Sequence, residues 1–187
     1  ISLNFAKSFM CKFCFTYLGQ DIRPEPERTD AEYVLVMEMG ESSLYDELGS
    51  QRIGGHDLEG VRAIFGKIVE HVKTLHSFNL IHGDLKPENI MLSEGFEVKI
   101  VDFGVSKVYA DRKKTMTGYV GTPCYMAPEN IKEDKNVHDG TSADVYSFAI
   151  ILHQMWSREI PYNNIKQHFT MMRKVVAGYR MPMALPK

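Results

Sequence analysis

A run of eight residues, His82-Gly83-Asp84-Leu85-Lys86-Pro87-Glu88-Asn89, sits between two short apolar runs, Leu80-Ile81 and Ile90-Met91-Leu92. Apolar runs of that length bounded by polar residues read as small strands, so the charged stretch between them is predicted to be a loop pinned at both ends to buried structure. A further run, Val98 to Val101, leads directly into Asp102-Phe103-Gly104, and Ala127-Pro128-Glu129 follows. Lone Asp and Asn residues in loops are ordinarily turn formers, through side-chain to backbone hydrogen bonds. Here three motifs stand in a fixed order, each with the strand or loop context it needs, which is far more specific than any one short pattern.

The surrounding sequence supplies helices and strands to hold these loops. Leu58, Val61, Ile64, Phe65, Ile68, Val69, Val72 and Leu75 recur at helical spacing, with Asp57 as N-cap, and this helix runs into the loop through Leu75-His76-Ser77-Phe78-Asn79. Downstream, Ser142 to Phe148 opens a second helix whose predicted apolar face is Val145, Phe148, Ala149, Leu152, Met155 and Trp156. Asp144 falls in its first turn, where free N–H groups and the helix dipole favour a carboxylate. Ile165, Phe169, Met172, Val175 and Val176 suggest one more helix, closed by Gly178. Tyr33 to Glu38 reads as a strand, and Arg23 to Arg28 as an exposed loop between strands.

With 187 residues and a net charge of −2, the chain can bury a sizeable core and carries no basic excess for nucleic acid. No apolar run is long enough to span a bilayer, and Lys12 interrupts the one from Phe9 to Phe15. Three cysteines fit a reducing, cytoplasmic setting better than a disulfide framework. Cys11 and Cys14 have the spacing of half a zinc site but no second pair completes it, so they read as strand residues.

Taken in order, the motifs resemble the catalytic half of a protein kinase of the Ser/Thr type. The resemblance implies an α+β, protein-kinase-like fold, mainly the helical C-terminal lobe, with residues 1–38 a remnant of the small β lobe and 39–187 the hinge and a truncated large lobe. It implies transfer of the ATP γ-phosphate to Ser or Thr hydroxyls of a protein substrate, with Mg2+ or Mn2+ as cofactor. Such transfer needs a positioned hydroxyl, held metal and stabilised phosphate charge rather than covalent chemistry. Asp84 would then orient the hydroxyl and accept its proton, Lys86 would meet the transferred phosphate as a mobile charge, and Asn89 and Asp102 would offer hard oxygen ligands to the metal. In the hinge, the Glu38 carbonyl and the Gly40 amide match the positions that bond adenine, with Met91 as its apolar floor.

Gly104 to Glu129 reads as an activation segment on the same resemblance. Its ending, Gly121-Thr122-Pro123-Cys124-Tyr125-Met126-Ala127-Pro128-Glu129, would place Thr122 near Asp84 and Lys86 and cradle the substrate. Thr115 and Thr117 are candidate phosphosites beside Arg112, Lys113 and Lys114, a basic run that is equally a solvated loop tip. Asp144 would brace the catalytic loop, and His82 would pack beneath the Phe103 ring rather than titrate. Gly83 stands where many kinases carry an arginine that receives an activation-loop phosphate, so regulation by that phosphate should be weak. The downstream order Ser142-Ala143-Asp144-Val145-Tyr146-Ser147-Phe148, then Ile160-Pro161-Tyr162, looks like the tyrosine-kinase-like branch.

A glycine-rich phosphate loop and a strand lysine in a V-A-I-K context are absent. The expectation is therefore a fragment that by itself binds ATP weakly and transfers phosphate poorly. The alternative is a pseudokinase-like protein interaction domain, against which the complete set Asp84, Lys86, Asn89 and Asp102 weighs.

Overall fold

The computed structural model describes residues 17–23, 32–37, 40–108, 121–132 and 140–182. Strands β1 (Tyr17–Arg23) and β2 (Glu32–Met37) form an antiparallel hairpin with a register irregularity between Tyr17 and Gly19. After Gly40 come β3 (Ser42–Ser43) and the short helix α1 (Leu44–Gly49). Ser43 caps α1 in a reciprocal box with Asp46, each side chain satisfying the other's backbone N–H, which sets the helix start at the strand end.

The predicted long helix is α2 (Leu58–Ser77), and Asp57 caps it by accepting from the Gly60 N–H at 2.9 Å. Val61, Ile64, Ile68, Val72 and Leu75 are its buried stripe, as the spacing predicted, while Leu58 is half exposed. Phe78 caps the end of the helix, and Asn79, at a positive φ of 55°, turns the chain into β4 (Leu80–Ile81). Strands β5 (Ile90–Ser93) and β6 (Glu97–Ile100) form a hairpin, and β3 adds to the free edge of β5. In β5, Ile90 and Leu92 point into the core; Met91 and Ser93 face the other way, as a two-residue period requires. A separate pair joins β4 to β7 (Lys107–Val108), so the loop from 82 to 89 is held by strands at both ends.

Helix α3 (Pro128–Ile131) is a single turn, α4 (Gly140–Ser157) is the central helix, and α5 (His168–Val176) packs against the end of the activation segment. In the main core cluster Leu44, Ile53, Ile64, Ile68, Leu75, Leu85, Ile90, Ile100, Ile151 and Met155 are essentially sealed from water, and a smaller cluster joins Tyr162, Met171, Met172 and Val175. Phe65 of α2 stacks on Phe148 of α4 with ring centroids 4.5 Å apart.

Two expectations for the downstream helices need correction. Helix α4 begins at Gly140 rather than Ser142, so Asp144 lies beyond the first turn and its free N–H groups. Its buried face is Ala143, Asp144, Ser147, Ile150, Ile151, Gln154 and Met155; Val145 is 51% exposed and Ala149 also faces solvent. The helix is apolar almost all round, so periodicity could not choose a face, and buried polar groups with fixed partners chose it instead. In α5, Phe169 is 69% exposed while Met171, Met172 and Val175 are buried. Gly178 does close α5: at φ 95°, it lets the Gly178 and Tyr179 amides bond the Val175 and Lys174 carbonyls, the paired pattern of a glycine-terminated helix. Among the described residues, no helix is long and apolar enough to cross a membrane.

Candidate active site

Asp144 organises the loop between β4 and β5. Only 1% exposed, it accepts from the His82 N–H and the Gly83 N–H at 2.9 Å each, and from His76 Nε2 at 2.8 Å. Two successive amides can converge on one carboxylate because Gly83 adopts φ 83°, a region that costs a residue with a Cβ about 1–2 kcal/mol. The structure thus supplies a local reason for glycine at 83.

His82 is fully buried. Its Nε2 donates to the Val101 carbonyl at 2.9 Å, and its Nδ1 accepts from the Asp84 N–H at 3.3 Å, a pair of roles that only the neutral Nε2–H imidazole fills. Phe103 lies against the ring, with centroids 5.0 Å apart, as predicted. Burial pushes the imidazole below its ordinary value, outweighing the opposing pull of the Val101 carbonyl and of Asp144, Asp84 and Asp102. The native state therefore binds this proton less readily than the unfolded chain. Its contribution is fully present above the unfolded value near pH 6.5 and erodes as pH falls below it, at up to about 1.4 kcal/mol per pH unit. Urea unfolding at stepped pH from 7.5 to 5.5 should show that slope, and His82→Leu should be less stable but flatter across the window. An equally steep profile in the variant would assign the slope to other groups.

The loop then presents its functional side chains on one side. Asp84 Oδ1 accepts from the Thr122 N–H at 2.8 Å, and Lys86 Nζ lies 3.0 Å from both Asp84 Oδ2 and Thr122 Oγ1. Asp84, Lys86 and Thr122, 38 positions apart at the extremes, are thus joined in one part-buried triangle. Beside it is a small, half-open cleft bordered by Gly83, Asp84, Gly121, Thr122, Met126 and Asn130.

Asn89 is buried, and its amide nitrogen donates to the Asp84 carbonyl at 2.9 Å, which turns Oδ1 to the opposite side. Its backbone carbonyl accepts from the Val101 N–H at 2.9 Å, tying the residue after β6 and before Asp102 to the loop. Asp102 is exposed and takes a left-handed φ of 62°, a conformation that Asp tolerates better than most residues. Among the described residues no group of three or more His, Cys, Asp or Glu converges as a metal site. Met91 lies half-buried on the face of β5 away from the core, next to Ser43 and Lys99 on the neighbouring strands. Gly40 lies two residues before β3. Glu38, Thr115, Thr117, the basic run at 112–114, Cys11 and Cys14 lie outside the described residues.

Sequence reasoning missed several residues that support the site. His76 joins the Asp144 network, Ser106 donates to the His82 carbonyl at 3.0 Å, and Ser147 and Gln154 reach the segment that carries Thr122. Ser147 stood inside a quoted motif without a role, and the others had no periodic or motif signal to set them apart, because each acts through a partner distant in sequence.

A protein kinase domain profile matches residues 24–184. The chain belongs to the protein kinase superfamily. Its described part is a kinase-like fold, largely the mostly helical lobe. Over 101 residues, 54% of the chain, it is 43% identical to a probable serine/threonine-protein kinase of Dictyostelium discoideum. It is 34% identical to serine/threonine-protein kinase 36 of Mus musculus over 68% of the chain. It is 35% identical to the carbon catabolite-derepressing protein kinase of Candida glabrata over 71% of the chain. The matched segments span 7%, 9% and 21% of those three proteins.

Proposed function

We propose that this chain is part of a protein serine/threonine kinase that moves the γ-phosphate of ATP to Ser or Thr hydroxyls of a polypeptide, with residues 1–38 in its small lobe and 39–187 forming hinge and large lobe. The observation that carries this reading is the Asp84–Lys86–Thr122 triangle, in which a carboxylate, an ammonium and a hydroxyl are held together at the mouth of a cleft. Asp84, fixed by the Thr122 amide, is placed to orient the acceptor hydroxyl and take its proton as the oxygen attacks. Lys86 is held next to that carboxylate, within reach of the phosphate oxygens, and offsets their charge. Thr122 ties the polypeptide-binding segment to the base, so that a docked Ser or Thr meets Asp84 in register. Relatives named as serine/threonine-protein kinases support the acceptor class.

Asn89 Oδ1 and the Asp102 carboxylate would hold the metal: both are hard oxygen donors of the kind Mg2+ or Mn2+ takes, and the backbone bond from Val101 to Asn89 ties the residue before Asp102 to the loop. When bound with ATP, such an ion supplies charge neutralisation on the phosphates. Met91 and Gly40, with Glu38, are proposed to receive the adenine, and Thr115 and Thr117 to be sites of regulatory phosphorylation. A reducing, cytoplasmic setting fits the cysteine usage.

In the full-length protein, Asp102→Ala should abolish divalent-cation-dependent ATP turnover while leaving the fold intact, since Asp102 is exposed and braces nothing in the core. The check is steady-state ADP formation against Mg2+ concentration. Turnover within threefold of wild type at saturating Mg2+ would remove Asp102 from the metal site, and peptide binding that persists without any turnover in the wild type would favour the interaction-domain alternative.

A further inference from the structure

Charge is divided unevenly along the chain. Of its 22 Lys and Arg residues, Lys166, Arg173, Lys174, Arg180 and Lys187 follow Glu159, whereas none of the 24 Asp and Glu residues does. The net charge of −2 is therefore +5 over residues 160–187 set against −7 over the rest. A sign asymmetry of that kind points to a partner of opposite charge at the minority end.

Helix α5 carries the middle of the positive stretch and turns it outward. Its Met171, Met172 and Val175 are buried with Tyr162 in the smaller core cluster, on which Cys124, two residues after Thr122, also packs. The opposite side is a ridge of Phe169, Arg173 and Ala177, following one another at four-residue intervals and all exposed. Among the described residues, Phe169 is the most exposed large apolar side chain. Lys166, just ahead of the helix, and Arg173 are exposed, and among the described residues neither side chain has an ion pair or hydrogen bond. Lys174, one row over on the helix, lies 5.5 Å above the Tyr179 ring. An exposed apolar residue alone needs no explanation. Here it stands between unpaired cations, on a helix without a single acidic residue to neutralise them.

We infer that the outer face of α5 docks an acidic polypeptide segment, in which an aliphatic or aromatic side chain meets Phe169 and carboxylates meet Lys166 and Arg173. The ridge from Phe169 to Ala177 is about 12 Å long, the reach of about four extended residues. A polypeptide fits better than nucleic acid or an anionic membrane, because the negative remainder of the chain repels an extended polyanion, whereas a short segment senses charges only within a Debye length of about 8 Å. Since α5 packs against the segment that carries Thr122, a substrate anchored here would present its Ser or Thr to the cleft at raised local concentration. That catalytic consequence rests on the kinase reading; the docking itself does not.

The probe is a short fluorescein-labelled peptide of alternating glutamate and leucine, free of hydroxyl side chains and titrated by anisotropy against the full-length protein, so that binding is read without phosphotransfer. Phe169→Ala and Arg173→Glu should each weaken binding about five- to twentyfold. Wild-type affinity should fall about tenfold between about 50 and about 500 mM NaCl, and a lysine–leucine peptide should not bind. The second readout is phosphorylation of a Ser peptide with and without the glutamate–leucine extension: in Phe169→Ala, KM should rise about five- to twentyfold for the extended peptide only, with kcat unchanged. Equal peptide affinity in wild type and both variants would overturn the inference. So would tighter binding, dependent on Phe169 and Arg173, of a DNA oligonucleotide or of vesicles of equal phosphatidylserine and phosphatidylcholine. If Phe169→Ala does not fold, Arg173→Glu decides on the same readouts. Docking without Asp84-dependent phosphotransfer would uphold this surface and sink the kinase reading, and phosphotransfer without docking would do the reverse.

Discussion

Replacing Asp84 with Asn in the full-length protein should cut phosphotransfer to a Ser/Thr peptide by about 10²- to 10⁴-fold, the usual cost of losing a positioned general base. The variant is nearly isosteric, yet it removes more than basicity. Asp84 accepts at both oxygens, from the Thr122 N–H and from Lys86, and an amide has only one acceptor end. Whichever way the amide turns, either Lys86 or Thr122 faces an N–H. Nucleotide affinity should change little, because Asn89, Asp102 and the proposed adenine contacts are untouched. The measurement is paired: kcat for a peptide, and ATP-analogue binding by calorimetry. Equal phosphotransfer in the two proteins would end the assignment of Asp84 as base, whereas a matched loss of binding would mean that the substitution had disturbed the whole loop.

Asp144→Ala should be the most destabilising single change in the described structure, by about 3–5 kcal/mol in urea unfolding. The variant leaves the buried His82 amide and the part-buried Gly83 amide without their partner, and it strips His76 Nε2 as well. Against a typical total stability of about 5–15 kcal/mol, that loss threatens folding outright. Asp144→Asn keeps one acceptor oxygen and should lose roughly half as much. His76→Ala should cost less again, since His76 keeps 17% of its side chain in water. A loss below about 1 kcal/mol for Asp144→Ala would show that the loop amides find other partners and that Asp144 is not the organising group.

Comparing the two substitutions separates what the loop is from what holds it. Asp84 lies at the mouth of the cleft, and its loss should be a loss of rate. Asp144 lies beneath the loop, and its loss should be a loss of structure from which a loss of rate follows. Neither role is visible in residue type, since both are aspartates near a helix or loop boundary.

Local sequence by itself determined those features whose cause is local. The polar run at 82–89 had to be a loop because apolar pairs flank it, and α2 had to bury Val61, Ile64, Ile68, Val72 and Leu75 because no other face of it is apolar. Asp57 and Gly178 marked helix ends through bonds reaching only a few residues. The order of the motifs carried the family. Tertiary structure alone decided the rest, where the partners lie dozens of positions apart. The face of α4 was chosen by Ser147 and Gln154 meeting Tyr125, not by its near-uniform apolar pattern. That Asp144 braces the loop some 60 residues upstream was implied by the resemblance and is borne out by the two amides it accepts, but nothing in its own helix signals it. A buried polar group must find a partner wherever the chain brings one, and periodicity along a single segment carries no record of where that is.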